Sequence, residues 1–228
     1  MKRLSTFVLN KIILEKDNLN LIDLVTEINQ KQYDEENGFG VLSYEKRGEN
    51  NFMFEIVKRS PTYLLEFDRE SKEMTKQLTY LFKQSSFEID QSNMNLTVYG
   101  GLSNASDIKL FFRRYFSDVK LIPIQIDIKS FFYRTSKTST KTAIKFISIK
   151  NFIYNNGIVG KFSGEIIDTT IVNEILENYS KDILRATFNI EIEDSVFDVQ
   201  IFPVGSLKLM INSGNTEMIL NYLYNNIE

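Results

Sequence analysis

The chain has 228 residues, 43% hydrophobic and 25% charged, an ordinary globular composition that suffices for one large domain or two small ones. Cys and His are both absent, which excludes zinc fingers, Cys or Ser/His nucleophile pairs and an imidazole base, and leaves only carboxylate, Lys, Tyr or Mg²⁺ chemistry. The net charge of −3 hides an asymmetry: Lys109 to Lys161 holds eight Lys and three Arg against Asp118 and Asp127, a net +9, between flanks of −4 and −8.

The N-terminus, MKRLSTFVLNKIILEKDN, meets charge too early for a secretory leader, and no window approaches a membrane span. A soluble intracellular protein without a membrane partner is expected. Phe7 to Leu14 reads as a strand, followed by Leu19, Ile22, Leu24, Val25 and Ile28 at helical spacing. FGVLSYEKR, NFMFEIVKR and TYLLEFD are β-rich runs broken at GEN and Ser60-Pro61, which predicts an antiparallel meander. A helix is predicted from about Glu70 to Lys83, then a strand pair, FEID and MNLTVYG, and a helix from about Ala105 to Phe116.

VKLIPIQIDIKSFF reads as one long alternating strand, and RTSKTSTKT as a cationic loop. A second strand series opens at KFISIKNFIYNN, is interrupted by a helix near Val172 to Tyr179, and closes with three strands and a C-terminal helix. Aligning Leu96 with Leu207 lays LTVYGGLSNASDIKLFFRRYF over LKLMINSGNTEMILNYLYNNI without a gap, so that Ile108 meets Ile219 and Phe112 meets Leu223. FVLNKIIL likewise matches ISIKNFIY, which sets Asn10 over Asn151. The chain reads as two copies of strand, helix, strands, helix.

A duplicated unit of this kind resembles the core of the TATA-box-binding protein family. The resemblance rests on Ile149-Lys150-Asn151 and Ile201-Phe202-Pro203-Val204-Gly205-Ser206-Leu207 in the second half, and on Val8-Leu9-Asn10 and Leu96-Thr97-Val98-Tyr99-Gly100-Gly101 in the first. It implies an α+β, pseudo-duplicated antiparallel saddle with helices on its convex face, divided at about 1–118 and 119–228. It also implies a transcription initiation factor, neither enzymatic nor dependent on a cofactor, that binds AT-rich duplex DNA in the minor groove and contacts other initiation factors or RNA polymerase subunits. Such a factor acts in the nucleus or at a site of viral transcription. Asn10 and Asn151 would be the central amides and Phe202 a wedge, with Leu184 or Phe188 as its companion; Phe87 and Ile89 take the corresponding place in the first half. Leu96, Val98, Leu207 and Leu209 would complete the apolar contact. Ser206 stands where the family has Lys, and the acidic C-terminal third opposes phosphate binding.

Two other readings compete. The same fold without DNA binding would be a protein-interaction or assembly module. Asp118 with Asp127-Ile128-Lys129 matches the loose D…(D/E)xK pattern of Mg²⁺-dependent nucleases, although the same residues suit a solvated strand edge. Phe131-Phe132-Tyr133 before the cationic loop suits base stacking or simple core packing. Glu191, Glu193, Asp194 and Asp198 read as a solvated turn, and Gly38-Phe39-Gly40 as a turn without a third glycine.

Overall fold

The computed structural model describes residues 3–15, 20–69, 72–138, 141–155, 157–192, 195–211 and 216–227. Among them the protein is α+β, mostly antiparallel strand with five α-helices. It divides into two compact units: a central one, Asn10–Ile122, and a split one made of Met1–Leu9 with Pro123–Glu228.

The central unit begins within β1 (Arg3–Leu14) and continues through α1 (Leu21–Gln30), β2 (Phe39–Arg47), β3 (Asn51–Phe67), β4 (Met74–Asp90), β5 (Asn95–Tyr99), α2 (Leu102–Tyr115) and β6 (Val119–Pro123). Its strands lie in the order β2-β3-β4-β5-β1. Asn20 caps α1 by accepting from the Asp23 amide at 2.8 Å, and Leu21, Leu24, Val25 and Ile28 are buried along one helix face. From α2, Ile108, Phe111 and Phe112 enter the core, where Phe112 meets Phe87 edge to face at 5.7 Å and Phe87 stacks on Phe54 at 5.2 Å. Each such aromatic removes enough apolar surface from water to contribute about 2–3 kcal/mol.

Two sequence expectations fail in this unit. The predicted helix from Glu70 to Lys83 is, from Met74 on, instead the first part of β4, paired residue for residue with β3 from Phe67↔Met74 to Arg59↔Phe82, while Glu70 and Ser71 lie outside the described residues. Met74, Leu78, Leu81 and Phe82 fit helical spacing, but an extended partner of equal length captures them. Nor does Ser60-Pro61 break the strand. Pro61 lies in β3 opposite Tyr80, beyond the last residue that β2 pairs, Lys58, so its missing N–H costs no ladder bond on that edge.

The split unit continues with α3 (Ile128–Thr138), β7 (Lys141–Asn155), β8 (Ile158–Glu165), α4 (Val172–Tyr179), β9 (Ile183–Ile192), β10 (Ser195–Phe202), β11 (Ser206–Ile211) and α5 (Thr216–Ile227). Its strands run β1-β11-β10-β9-β7-β8, with Phe7↔Leu207, Ile201↔Leu207 and Ile201↔Ala186 in register. The long strand expected from Val119 to Phe131 stops at Pro123, and α3 starts at Ile128 because the Asp127 carboxylate accepts from the Ser130 amide at 2.8 Å. Of the supposed loop RTSKTSTKT, Arg134 to Thr138 finish α3 and Lys141 opens β7, while Ser139 and Thr140 lie outside the described residues.

Strand, turn, strand and helix recur as β4-β5-α2 and β10-β11-α5, with Leu96 and Leu207 both fully buried. The second turn depends on Gly205. It has φ +77°, and a Cβ there would stand 2.3 Å from the Ile124 carbonyl oxygen, while its own carbonyl accepts from the Leu9 amide at 2.8 Å. Gly205→Ala therefore combines left-handed strain with a backbone clash. It should lower unfolding free energy by about 2–4 kcal/mol in urea titration, with an unchanged m-value.

Candidate functional site

Alternation along the strands decides which sequence-selected residues reach the surface. Phe87 pairs with Val98 and Ile89 with Leu96, and all four are buried in the core of the central unit. In the split unit Leu207, Leu209 and Phe188 are completely buried, and Phe188 meets Phe131 of α3 edge to face at 5.0 Å. These seven side chains are the floor beneath the helices. They do not form an open apolar contact face.

Asn10 is also fully buried. Asn151 is exposed on β7, where its amide donates to Asp182 at 2.8 Å. Leu184 is half exposed at the start of β9, and Phe202 is half buried with the Lys208 ammonium 5.5 Å from its ring centre. Ser206, where a phosphate-facing cation was sought, is itself buried. The other face of the split unit's sheet carries Thr6, Lys208, Gln200 and Thr187 in one cross-strand row, and Asp198 beside Asn189 in the next. The face mixes these polar groups, several of which pair with one another, with exposed Leu4 and Met210 in the Asp198 row and exposed Val196 beyond it. Asp198 accepts from Asn189 at 2.8 Å and from Lys145 at 3.1 Å.

Among the described residues, ion pairs with the acidic flanks take up four of the eleven cations of the basic segment. Lys120 pairs with Glu15, Lys129 with Glu177 at 2.5 Å, Lys145 with Asp198 and Lys150 with Asp182 at 3.7 Å, so acids from the flanks answer cations from the middle. The Glu177 pairing holds the Lys129 ammonium above its usual range. Lys129 and Asp127 thus have an ion-pair role and a helix-capping role, and no cluster of three carboxylates fit for a metal occurs among the described residues. Glu193 and Asp194 lie outside them.

Comparison with protein-family models and with curated proteins finds no match. No helix among the described residues is long and apolar enough to cross a membrane.

Two surface features of the central unit stand out. The first is a cleft of about 380 Å³ with Phe112, Phe116 and Val119 beneath and Lys109, Arg113 and Lys120 at its rim. The second is larger. Beyond Lys58, β3 and β4 continue as a two-stranded arm, since β2 pairs β3 only to Lys58 and β5 pairs β4 only from Ser86. Tyr63, Leu65, Phe67, Met74, Leu78, Tyr80 and Phe82 share one face of the arm, and each is between 43% and 64% exposed. The opposite face carries Thr62, Thr75, Gln77 and Thr79 with only Leu64 and Leu81 apolar.

The arm is fixed at its root. Lys58 and Lys83 stand directly opposite each other across β3 and β4, and both reach Asp107 of α2, at 2.9 and 2.5 Å. The Asp107 side chain is only one-tenth exposed. Burial pushes its carboxyl towards protonation, but hydrogen bonds from Lys83 and Lys58 outweigh this and hold it below the ordinary 3.8. The interaction is therefore complete above pH 3.8 and is lost as pH falls through the lower folded value. Asp107→Asn should destabilise the protein by about 2 kcal/mol at pH 7, partial exposure of the lysines limiting the cost. Urea melts of the two proteins should converge as pH falls through the lowered folded value of Asp107, below which the wild-type carboxyl is itself neutral.

Proposed function

We propose that this chain is a non-catalytic protein-interaction or assembly module whose binding element is the β3–β4 arm. One observation carries the reading: seven large apolar side chains on one face of the arm are exposed to water. Soluble monomers rarely leave so large a contiguous apolar patch uncovered, and such patches mark binding surfaces. A two-stranded ribbon is also marginal alone in water, so a partner would supply the third layer of contacts the arm lacks. The Asp198 contacts on the split unit's sheet support the reading from the other side, because they leave Lys145 already paired and less able to neutralise a polyanion.

A photo-reactive residue at Leu65 should give covalent adducts with a polypeptide in cells, and the same residue at exposed Glu217 on α5 should not. Absence of any polypeptide adduct from Leu65 overturns the reading.

A second reading, duplex DNA binding on a TATA-box-binding scaffold, is favoured by the strand, helix, strands, helix order of the central unit and by the basic rim of its cleft. Asn10 and seven of the apolar side chains of the minor-groove mode are buried, with Phe202, Leu184 and Asn151 left at the surface, so contact would run mainly through Lys109 and Arg113. Affinity for AT-rich duplex should then fall steeply with salt and drop about tenfold or more in Lys109→Glu/Arg113→Glu. Weak binding that the double substitution leaves unchanged removes this reading.

A further inference from the structure

We infer that the partner covering the arm is a second copy of this chain, its apolar face packed against the same face of its twin about a two-fold axis. The inference rests on the reading of the arm as the binding element and adds the identity of the occupant. Area is the first argument. Four aromatic rings, each worth about 150–250 Å² when fully bared, together with Leu65, Met74 and Leu78, place about 700 Å² of apolar surface on this face. That approaches the ~800 Å² each partner contributes to a standard stable interface, so two identical arms satisfy each other with no further surface.

Charge is the second argument. The face is arranged in cross-strand rows: Arg59/Phe82 at the root, then Pro61/Tyr80, Tyr63/Leu78 and Leu65/Lys76, with Phe67/Met74 at the tip. An antiparallel two-fold packing centred on the Tyr63/Leu78 row sets each copy's Lys76 over the other's Pro61/Tyr80 row. It also sets each tip over the other's Arg59/Phe82 row. The cations of one copy then face aromatic rings of the other, and like charges do not meet. The geometry within one copy shows the same preference, since the Arg59 guanidinium already lies 4.5 Å from the centre of the Tyr80 ring. Edge-to-edge addition is the poorer solution, because Pro61 interrupts the row of donors along the β3 edge and joining edges leaves the apolar face in water.

Alternation along the strands makes the test specific to one face. The purified full chain should sediment at twice its 26.6 kDa mass. Leu78→Asp should raise the dimer dissociation constant by more than about 30-fold, whereas Leu64→Asp and Leu81→Asp, on the opposite face, should change it less than about threefold. Circular dichroism and melting temperature of the monomeric variant check that folding is intact, as these side chains bury little within one copy. Because the chain has no cysteine, a single thiol at position 78 can be joined to its twin by a short bis-maleimide. A thiol introduced as Met74→Cys should not join its own kind, being about 27 Å from its twin along the strand, but should join Phe82→Cys in a mixture.

A monomer at about 100 µM, a dimer indifferent to Leu78→Asp, or cross-linking of Met74→Cys as efficient as that of Leu78→Cys would each overturn the inference. If the chain is monomeric while Leu65 captures a different polypeptide, self-pairing fails and the interaction reading stands. If Leu65 captures nothing, both fail.

Discussion

Two lysines face each other across β3 and β4, and one buried aspartate makes that tolerable. Like charges directly opposite in a sheet repel, so without Asp107 the Lys58/Lys83 pair would loosen the ladder at the point where it leaves the sheet. With Asp107 in place the repulsion becomes a clamp, joining α2 to both strands. Everything distal to this point, from Arg59 out to Phe67 and back from Met74, has no other strand beside it among the described residues. The position of the exposed apolar face is thus set by an electrostatic contact at its base, and the packed phenylalanines beneath α2 hold that base still.

Strand parity was legible in the sequence. The alignment of Leu96 with Leu207 rests on period-two and helical spacing, and both residues are buried on strands that lead into helices α2 and α5. Parity says which residues share a face, but not whether helices or water cover it. Phe87, Ile89, Leu96, Val98, Phe188, Leu207 and Leu209 form an apolar set in either case, and the core claims them. For these seven the minor-groove reading has the parity of each strand but not what covers it, while Asn151, Leu184 and Phe202 stay at the surface.

The arm was hidden for a related reason. Met74, Leu78, Tyr80 and Phe82 alternate as a strand does, but Met74, Leu78, Leu81 and Phe82 fit helical spacing equally well, and Ser60-Pro61 imitates a break. Only the partner strand, paired along its whole length, decides the matter. Asp127 was misjudged differently. Its spacing to Lys129 suits metal chemistry on a strand, but Ser130 three residues after Asp127 also completes a helix cap, and the local hydrogen bond prevails.

β1 belongs to two bodies. Its residues through Leu9 pack with the split unit, where Phe7 pairs with Leu207 about 200 positions away, and those from Asn10 belong to the central one. The central unit is continuous in sequence and has all its parts once the chain has grown past Ile122. The split unit cannot complete its sheet until β11 exists, and closing so long a loop carries an entropic cost that local contacts do not offset early. During synthesis β1 must therefore wait for β11, made about 200 residues later, with one of its edges unsatisfied until then.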